Sequence, residues 1–380
     1  MATIAVNTRL MQEGKLDGIG WFSFETLKRI AIAHPEHSFI FIFDRPFAKK
    51  FVFSENVLAL YMGLPTRHVA LFIPWFEIVI PYLLKKHKAD LFVSTDGHIP
   101  LRGKTPCLSV IHDINFYHFP EQLPQVVRKY YNYYFPRFAR KAQRITTVSE
   151  YTKNDLVTSY GIKPSKIDVA LNGVNPSYKP LPESENKNTR NKYSQGQDYF
   201  LFIGLIIPRK NLRRLIEAYF EYRKSGKKDI KLLVVGNKKW WSASDQEFVN
   251  SSVFGTDVIF VGRLGAEDLH RVLSAAFALT FVPLFEGFGI PVLEAFACGT
   301  PVIASNVTSL PEVGGDAVLY CNPLEIKSIS DALQTLAGDE TLRQTLIKKG
   351  LERVKQFSWD QTANAFWNSM EHCLRDAGKS

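Results

Sequence analysis

Cysteine is scarce in this chain, with four in 380 residues. Cys107, Cys298, Cys321 and Cys373 are scattered and form no Cys-x-x-Cys pair, which argues against a zinc site or a disulfide framework and favours a reducing, cytoplasmic setting. There is no Asp-x-Asp anywhere. Long apolar runs are lacking as well: the most apolar stretch, residues 69–84, is too short for a bilayer span and is interrupted by Pro74, Glu77 and Pro81. The first seven residues read as a short strand and not as a signal peptide, having neither a basic opening nor a long apolar core.

What is present is the composition of a soluble globular protein, 46% hydrophobic and 22% charged, with enough length for two domains that each bury a core. The net charge of +10 is lopsided. Residues 1–180 hold 23 Lys and Arg against 14 Asp and Glu, leaving +9 there and +1 beyond. A basic half suits nucleic acid, an anionic membrane surface, or simple solubility. No recognised nucleic-acid motif accompanies it, and the aromatic and basic run at residues 124–141 reads better as a helix with a packed inner face than as a base-stacking surface.

Strand and helix patterns alternate along the chain, which predicts parallel sheets covered on both faces. Strands are expected at 4–7, 38–43, 90–94, 108–111, 144–149, 199–204, 231–235, 258–261, 278–284 and 300–304, and helices at 21–33, 74–87, 150–160, 212–224, 291–298, 326–336 and 360–375. The proline-punctuated polar run at 179–195 has the composition of a linker.

The segment Glu286-Gly287-Phe288-Gly289-Ile290-Pro291-Val292-Leu293-Glu294 lies between an apolar strand and a short helix. Its glycines permit a tight loop and Pro291 suits a first helical turn, so unpaired N–H groups and the positive helix end face whatever lies over the loop. That geometry favours a phosphate, and carboxylates on either side can accept from sugar or ribose hydroxyls. Upstream, Pro208-Arg209-Lys210-Asn211 places two cations at a strand-to-helix junction. His112-Asp113 stands at the end of the strand 108–111, the edge where open parallel sheets hold ligands.

The 286–294 block, with Ser305-Asn306, Ser309-Leu310-Pro311-Glu312-Val313 and Gly315-Asp316-Ala317 behind it, resembles the Glu-x7-Glu signature of the retaining glycosyltransferases of family four. The resemblance implies the GT-B fold: two Rossmann-like domains facing across a cleft, an acceptor domain at 1–178 to which the last helix, 360–380, returns, and a nucleotide-sugar domain at 196–358. It implies that Glu286 touches the donor sugar, Glu294 the ribose, and the main chain of Phe288, Gly289 and Ile290 the sugar and diphosphate. Gly18 and Gly204 would approach the diphosphate, Arg209 and Lys210 would neutralise it, and His112 would lie beside the anomeric carbon, with Asp113 a weaker candidate on the acceptor side. Many relatives carry an Arg directly after the strand glycine, whereas this chain has Leu205.

The Asp-x-Asp of the other large glycosyltransferase fold is missing, so the resemblance implies a metal-independent transferase with no cofactor. Its expected partners are a nucleotide-sugar donor, GDP-mannose before UDP-glucose, and a glycan or lipid-linked acceptor in surface polysaccharide synthesis. An epimerase or hydrolase of the same architecture is the alternative. Glu286 and Lys210 are expected to stand exposed. Residues 73–88, with Trp75, Phe76 and Tyr82 before Lys85-Lys86-His87-Lys88, are a candidate for peripheral docking on an anionic membrane surface, against the plainer reading of a buried helix ending in solvated lysines.

Overall fold

The computed structural model describes residues 1–378 apart from 15, 67, 227 and 239. The chain divides into two compact units, 1–173 together with 358–380, and 174–357. Unit 1 holds seven strands: β1 (Thr3–Asn7), β2 (Ser38–Phe43), β3 (Val57–Tyr61), β4 (Leu91–Ser94), β5 (Cys107–Ile111), β6 (Arg144–Thr147) and β7 (Ile167–Val169). All pair in parallel, in the order β3-β2-β1-β4-β5-β6-β7. Unit 2 holds β8 (Tyr199–Ile203), β9 (Lys231–Val235), β10 (Val258–Gly262), β11 (Ala278–Phe281), β12 (Val302–Ser305) and β13 (Val318–Cys321), in the parallel order β10-β9-β8-β11-β12-β13. Each unit therefore has the doubly wound Rossmann arrangement, with order reversing between β1 and β4 and between β8 and β11.

The strands are parallel because helices cover both faces, and their sequences show it: every residue of β4, β5, β8 and β11 is buried. Helix ends follow local chemistry. The helix Glu150–Tyr160 starts where the Ser149 hydroxyl accepts from Thr152 N–H and stops at Gly161 with φ 67°. The helix Gly18–Ala33 begins three residues earlier than expected, because the Asp17 carboxylate accepts from Gly20 N–H and fixes the first turn there. The helix Gln125–Lys141 buries Tyr130, Phe135 and Phe138, whose rings surround His98, while Tyr133 stays outside under the Arg137 guanidinium. That is the packed inner face and not a stacking surface.

Two expectations need correction. The polar run read as a linker is a helix, Glu183–Ser194, within unit 2. Pro182 precedes it and Glu183 and Glu185 sit in its first turn, where acidic groups offset the helix dipole, so a sequence almost without apolar residues still winds up. The segment 72–86 is helical with a π-helical stretch at Trp75–Val79, and it buries Trp75 and Phe76, so these two rings are core and not an interface. Ile73, Ile78 and Tyr82 are the exposed large side chains there.

The last helix, Trp359–Asp376, lies in unit 1 and packs on Gly18–Ala33 through Phe366 against Phe22 and Trp367 stacked on His34. Among the described residues, no helix is long and apolar enough to cross a membrane.

Candidate active site

In unit 2 the expected residues gather at the C-terminal ends of β8 and β11, on either side of the switch in strand order. Gly204 ends β8 with φ 150°. The 204–211 loop then turns so that Lys210 Nζ donates to Glu286 Oε2 at 2.5 Å, and Arg209 Nη1 lies 3.7 Å from the same oxygen. Two hydrogen bonds tie this loop to the one after β11: Leu284 N–H donates to Arg209 O at 2.8 Å, and the Arg209 side chain donates through Nη1 to Phe285 O at 2.8 Å. Asn211, at φ 63°, secures the far end by donating to Val282 O and Pro323 O.

Exposure corrects one expectation. Lys210 and Glu286 show 14% and 18% of their side-chain surface and so are largely covered. Each neutralises the other, which is what allows opposite charges to stand in so little water. Arg209 Nε is buried with no hydrogen-bond partner among the described residues, a donor that awaits an acceptor.

The loop 286–289 reaches the helix Ile290–Ala297 through Gly289, whose φ of 109° few other residues adopt; a Cβ there would also meet Leu310 Cδ2 at 2.7 Å. Phe288 is buried beneath. Ser309 Oγ lies 2.9 Å from the carbonyl oxygens of both Glu286 and Phe288, and Thr308 Oγ1 accepts from Glu286 N–H at 3.3 Å. Thr308 itself has φ 59°, an uncommon conformation for a β-branched residue. Nothing in the sequence marks Thr308 as special. Glu294 stands one turn into the helix, apart from the Lys210–Glu286 pair, and faces Tyr178. Burial pushes its carboxyl up to about 7, against a hydrogen bond from Tyr178 that favours the charged form.

In unit 1, Gly18 opens a helix beyond β1, and His112 and Asp113 follow β5, all on the C-terminal edge of the sheet. His112 Nε2 lies 2.9 Å from Thr95 O, and the ring meets Phe22 edge-on at 5.0 Å. A ring N–H donated to that carbonyl leaves Nδ1 as the acceptor of a neutral imidazole, and burial lowers the His112 pKa in the same sense. Asp113 is engaged locally, accepting from Asn115 N–H at 2.9 Å.

The Thr95 turn is held from below by a buried group that sequence reasoning did not reach. Asp96 takes Arg9 Nε at 2.5 Å, Asn7 Nδ2 at 3.1 Å and Ser94 Oγ at 2.9 Å. Burial opposes its ionisation, but the Arg9 charge, the neighbouring His98 and the Arg9 hydrogen bond hold it well below the usual carboxylate range.

Two Rossmann-type units, one of them carrying a cation pair, a glutamate and a glycine-led helix start at its switch point, define a glycosyltransferase of GT-B architecture. Residues 37–178 match the model of Glycosyltransferase Family 4, and residues 183–353 match that of Glycosyl transferases group 1. Together the two matches span most of the chain and mark it as a glycosyltransferase. It is 28% identical over 371 residues to O-antigen chain mannosyltransferase B of Escherichia coli, covering 92% of this chain and 96% of that one. It is also 28% identical over 263 residues to the O-antigen chain mannosyltransferase RfbU of Salmonella typhimurium, 69% of each chain. Among solved structures, sucrose-phosphate synthase from Thermosynechococcus elongatus shares the fold with a TM-score of 0.78 at 18% identity, over 99% of this chain and 100% of that one. An Anabaena protein solved with UDP and glucose shares it at 0.73 and 16%, over 98% and 100%.

Proposed function

We propose that this chain transfers a hexose, mannose from GDP-mannose as first choice, to a glycan or lipid-linked glycan in surface polysaccharide synthesis, with retention of configuration and without a metal ion. The observation that carries the proposal is the convergence of Lys210, Arg209 and the helix start at Ile290 around Glu286, with one guanidinium N–H of Arg209 buried and unpartnered. Such a set suits a diphosphate that gains charge as it leaves.

The bond from the anomeric carbon to the diphosphate oxygen breaks, the acceptor oxygen bonds to that carbon on the same face, and the acceptor proton passes to the departing phosphate. Arg209, Lys210 and the amides near Ile290 take up the negative charge. Glu286 accepts from sugar hydroxyls, the neutral His112 ring stabilises charge near the anomeric carbon, and Gly18 and Gly204 admit the diphosphate to the main chain. The mannosyl choice draws support from the two O-antigen relatives.

Thermal-shift screening with GDP-, UDP- and dTDP-sugars tests the donor, since a ligand of the native state raises its stability. GDP-mannose should give the largest rise, and a larger one with UDP-glucose would move the assignment to that donor. Consumption of the donor at full rate without an acceptor would favour the epimerase or hydrolase reading, and an inverted product anomer would overturn retention.

Activity is expected to persist in EDTA, because protein cations serve the diphosphate; loss on chelation with rescue by magnesium or manganese is the contrary result. Donor binding should also depend on pH through Glu294. Ribose hydroxyls need an ionised acceptor, and this carboxyl titrates at about 7 in the free protein. Affinity should therefore be flat above that pH and fall by up to about tenfold per unit below it. Calorimetric titration of Glu294→Gln should show weaker, pH-flat binding; an unchanged slope would remove Glu294 from the ribose site.

We propose further that residues 73–88 dock on an anionic membrane surface through Ile73, Ile78 and Tyr82, which are exposed beside Lys85, Lys86 and Lys88.

A further inference from the structure

At the N-terminal edge of the unit 1 sheet, opposite the edge that carries His112, a cavity of about 590 Å³ opens between the end of the helix Ile80–Lys86 and the loop that leads into β5. Lys85, Lys88, Arg102 and Lys104 line it, with Asp90 as the single acidic side chain. The Asp90 carboxylate accepts from Thr3 N–H at 3.0 Å. None of the four cations has an ion-pair partner among the described residues.

The cavity is built and does not merely collect lysines. Glu77 accepts from Leu101 N–H at 2.8 Å and from Arg102 N–H at 3.3 Å, pinning the loop against the helical segment. Lys88 at φ 51° and Gly103 at φ 98° turn the chain at the two rims. Four unpaired cations on a fixed concave frame suit a phosphate group, which offers several acceptors and charge in one place. The helical segment 72–86 that ends at this cavity carries exposed Ile78 and Tyr82.

We infer that this cavity is a phosphate-binding pocket that receives the headgroup of an anionic phospholipid when unit 1 docks on a bilayer. The inference rests on the docking reading above and adds a discrete site to it.

Co-sedimentation with vesicles of neutral phosphatidylcholine, alone and mixed with anionic phosphatidylglycerol, tests this with the full chain at low and high salt. Wild type should bind the anionic vesicles only, and less in high salt. Arg102→Ser with Lys104→Ser, which leaves the helix untouched, should reduce the partition coefficient by about tenfold or more, whereas Lys49→Ser with Lys50→Ser should not. Transfer to a soluble acceptor should be equal in all three proteins, showing that each is folded. If the Arg102/Lys104 variant binds like wild type while Ile78→Ser with Tyr82→Ser does not, docking stands and the pocket is overturned. If wild type ignores vesicles yet is stabilised by glycerol phosphate, and that stabilisation disappears in the Arg102/Lys104 variant, the phosphate pocket stands and the lipid is overturned as its source. No difference between variant and wild type in either assay overturns the whole inference.

Discussion

Lys210→Ala and Glu286→Ala are each expected to lower kcat/KM for transfer by at least about 100-fold, the loss typical of removing one electrostatic contact to a charge-developing group. The two side chains meet at 2.5 Å under partial cover, so a structural ion pair alone would predict a different pattern. Breaking such a pair by removing one partner leaves the other charge poorly solvated, and removing both is often better tolerated. The double variant Lys210→Met, Glu286→Gln should therefore melt closer to wild type than either single variant. Its activity should stay lost, because the diphosphate has lost one of its two cations and the sugar its acceptor. Recovery of turnover in the double variant, or turnover within a few-fold of wild type in either single one, would reduce the pair to scaffolding.

The 286–294 block could be read from the sequence because its chemistry is local: glycines, a proline and two glutamates within nine residues already fix a loop and a helix start. His112 was legible for a similar reason, standing directly after a buried apolar strand. Local cues failed where distant positions decide. The exposure of Glu286 depends on Lys210, 76 residues away. The φ of Thr308 depends on its closing a loop against Glu286 N–H, and Asp96 reads as an ordinary loop acid until β1 brings Asn7 and Arg9 beside it.

Residues 73–88 show the limit from the other side. Periodicity found the helix, but a π-helical stretch rotates the face, so Trp75 and Phe76 turn inward and Ile78 and Tyr82 outward. The helix Glu183–Ser194 was hidden because propensity and charge form it almost without an apolar face.

Gly236→Ala should cause a large loss of stability in unit 2. Three glycines, Gly204, Gly236 and Gly262, stand at the C-terminal ends of β8, β9 and β10, joined by bonds from Gly204 N–H to Val235 O at 3.0 Å and from Gly236 N–H to Gly262 O at 2.9 Å. A Cβ on Gly236 would lie 1.9 Å from Gly204 O and 3.1 Å from Gly204 C. These are backbone atoms, so no side-chain rotation relieves the overlap, and the two strand ends must part. Overpacking usually costs 1–3 kcal/mol, and a contact with main chain belongs at or above the upper end, roughly 3 kcal/mol. For a unit of this size that lowers Tm by about 6–12 °C. Activity should fall as well, since Gly204 starts the loop that delivers Lys210, whose methylenes lie 3.8 Å from the place of a Gly204 Cβ. Gly262→Ala has open space around the new methyl and only a φ of 73° to contend with, so it should cost about 1 kcal/mol and leave turnover near wild type. Differential scanning calorimetry with donor titration separates the two. Equal melting of the Gly236 and Gly262 variants would show that β8 and β9 can part at their ends without disturbing the unit.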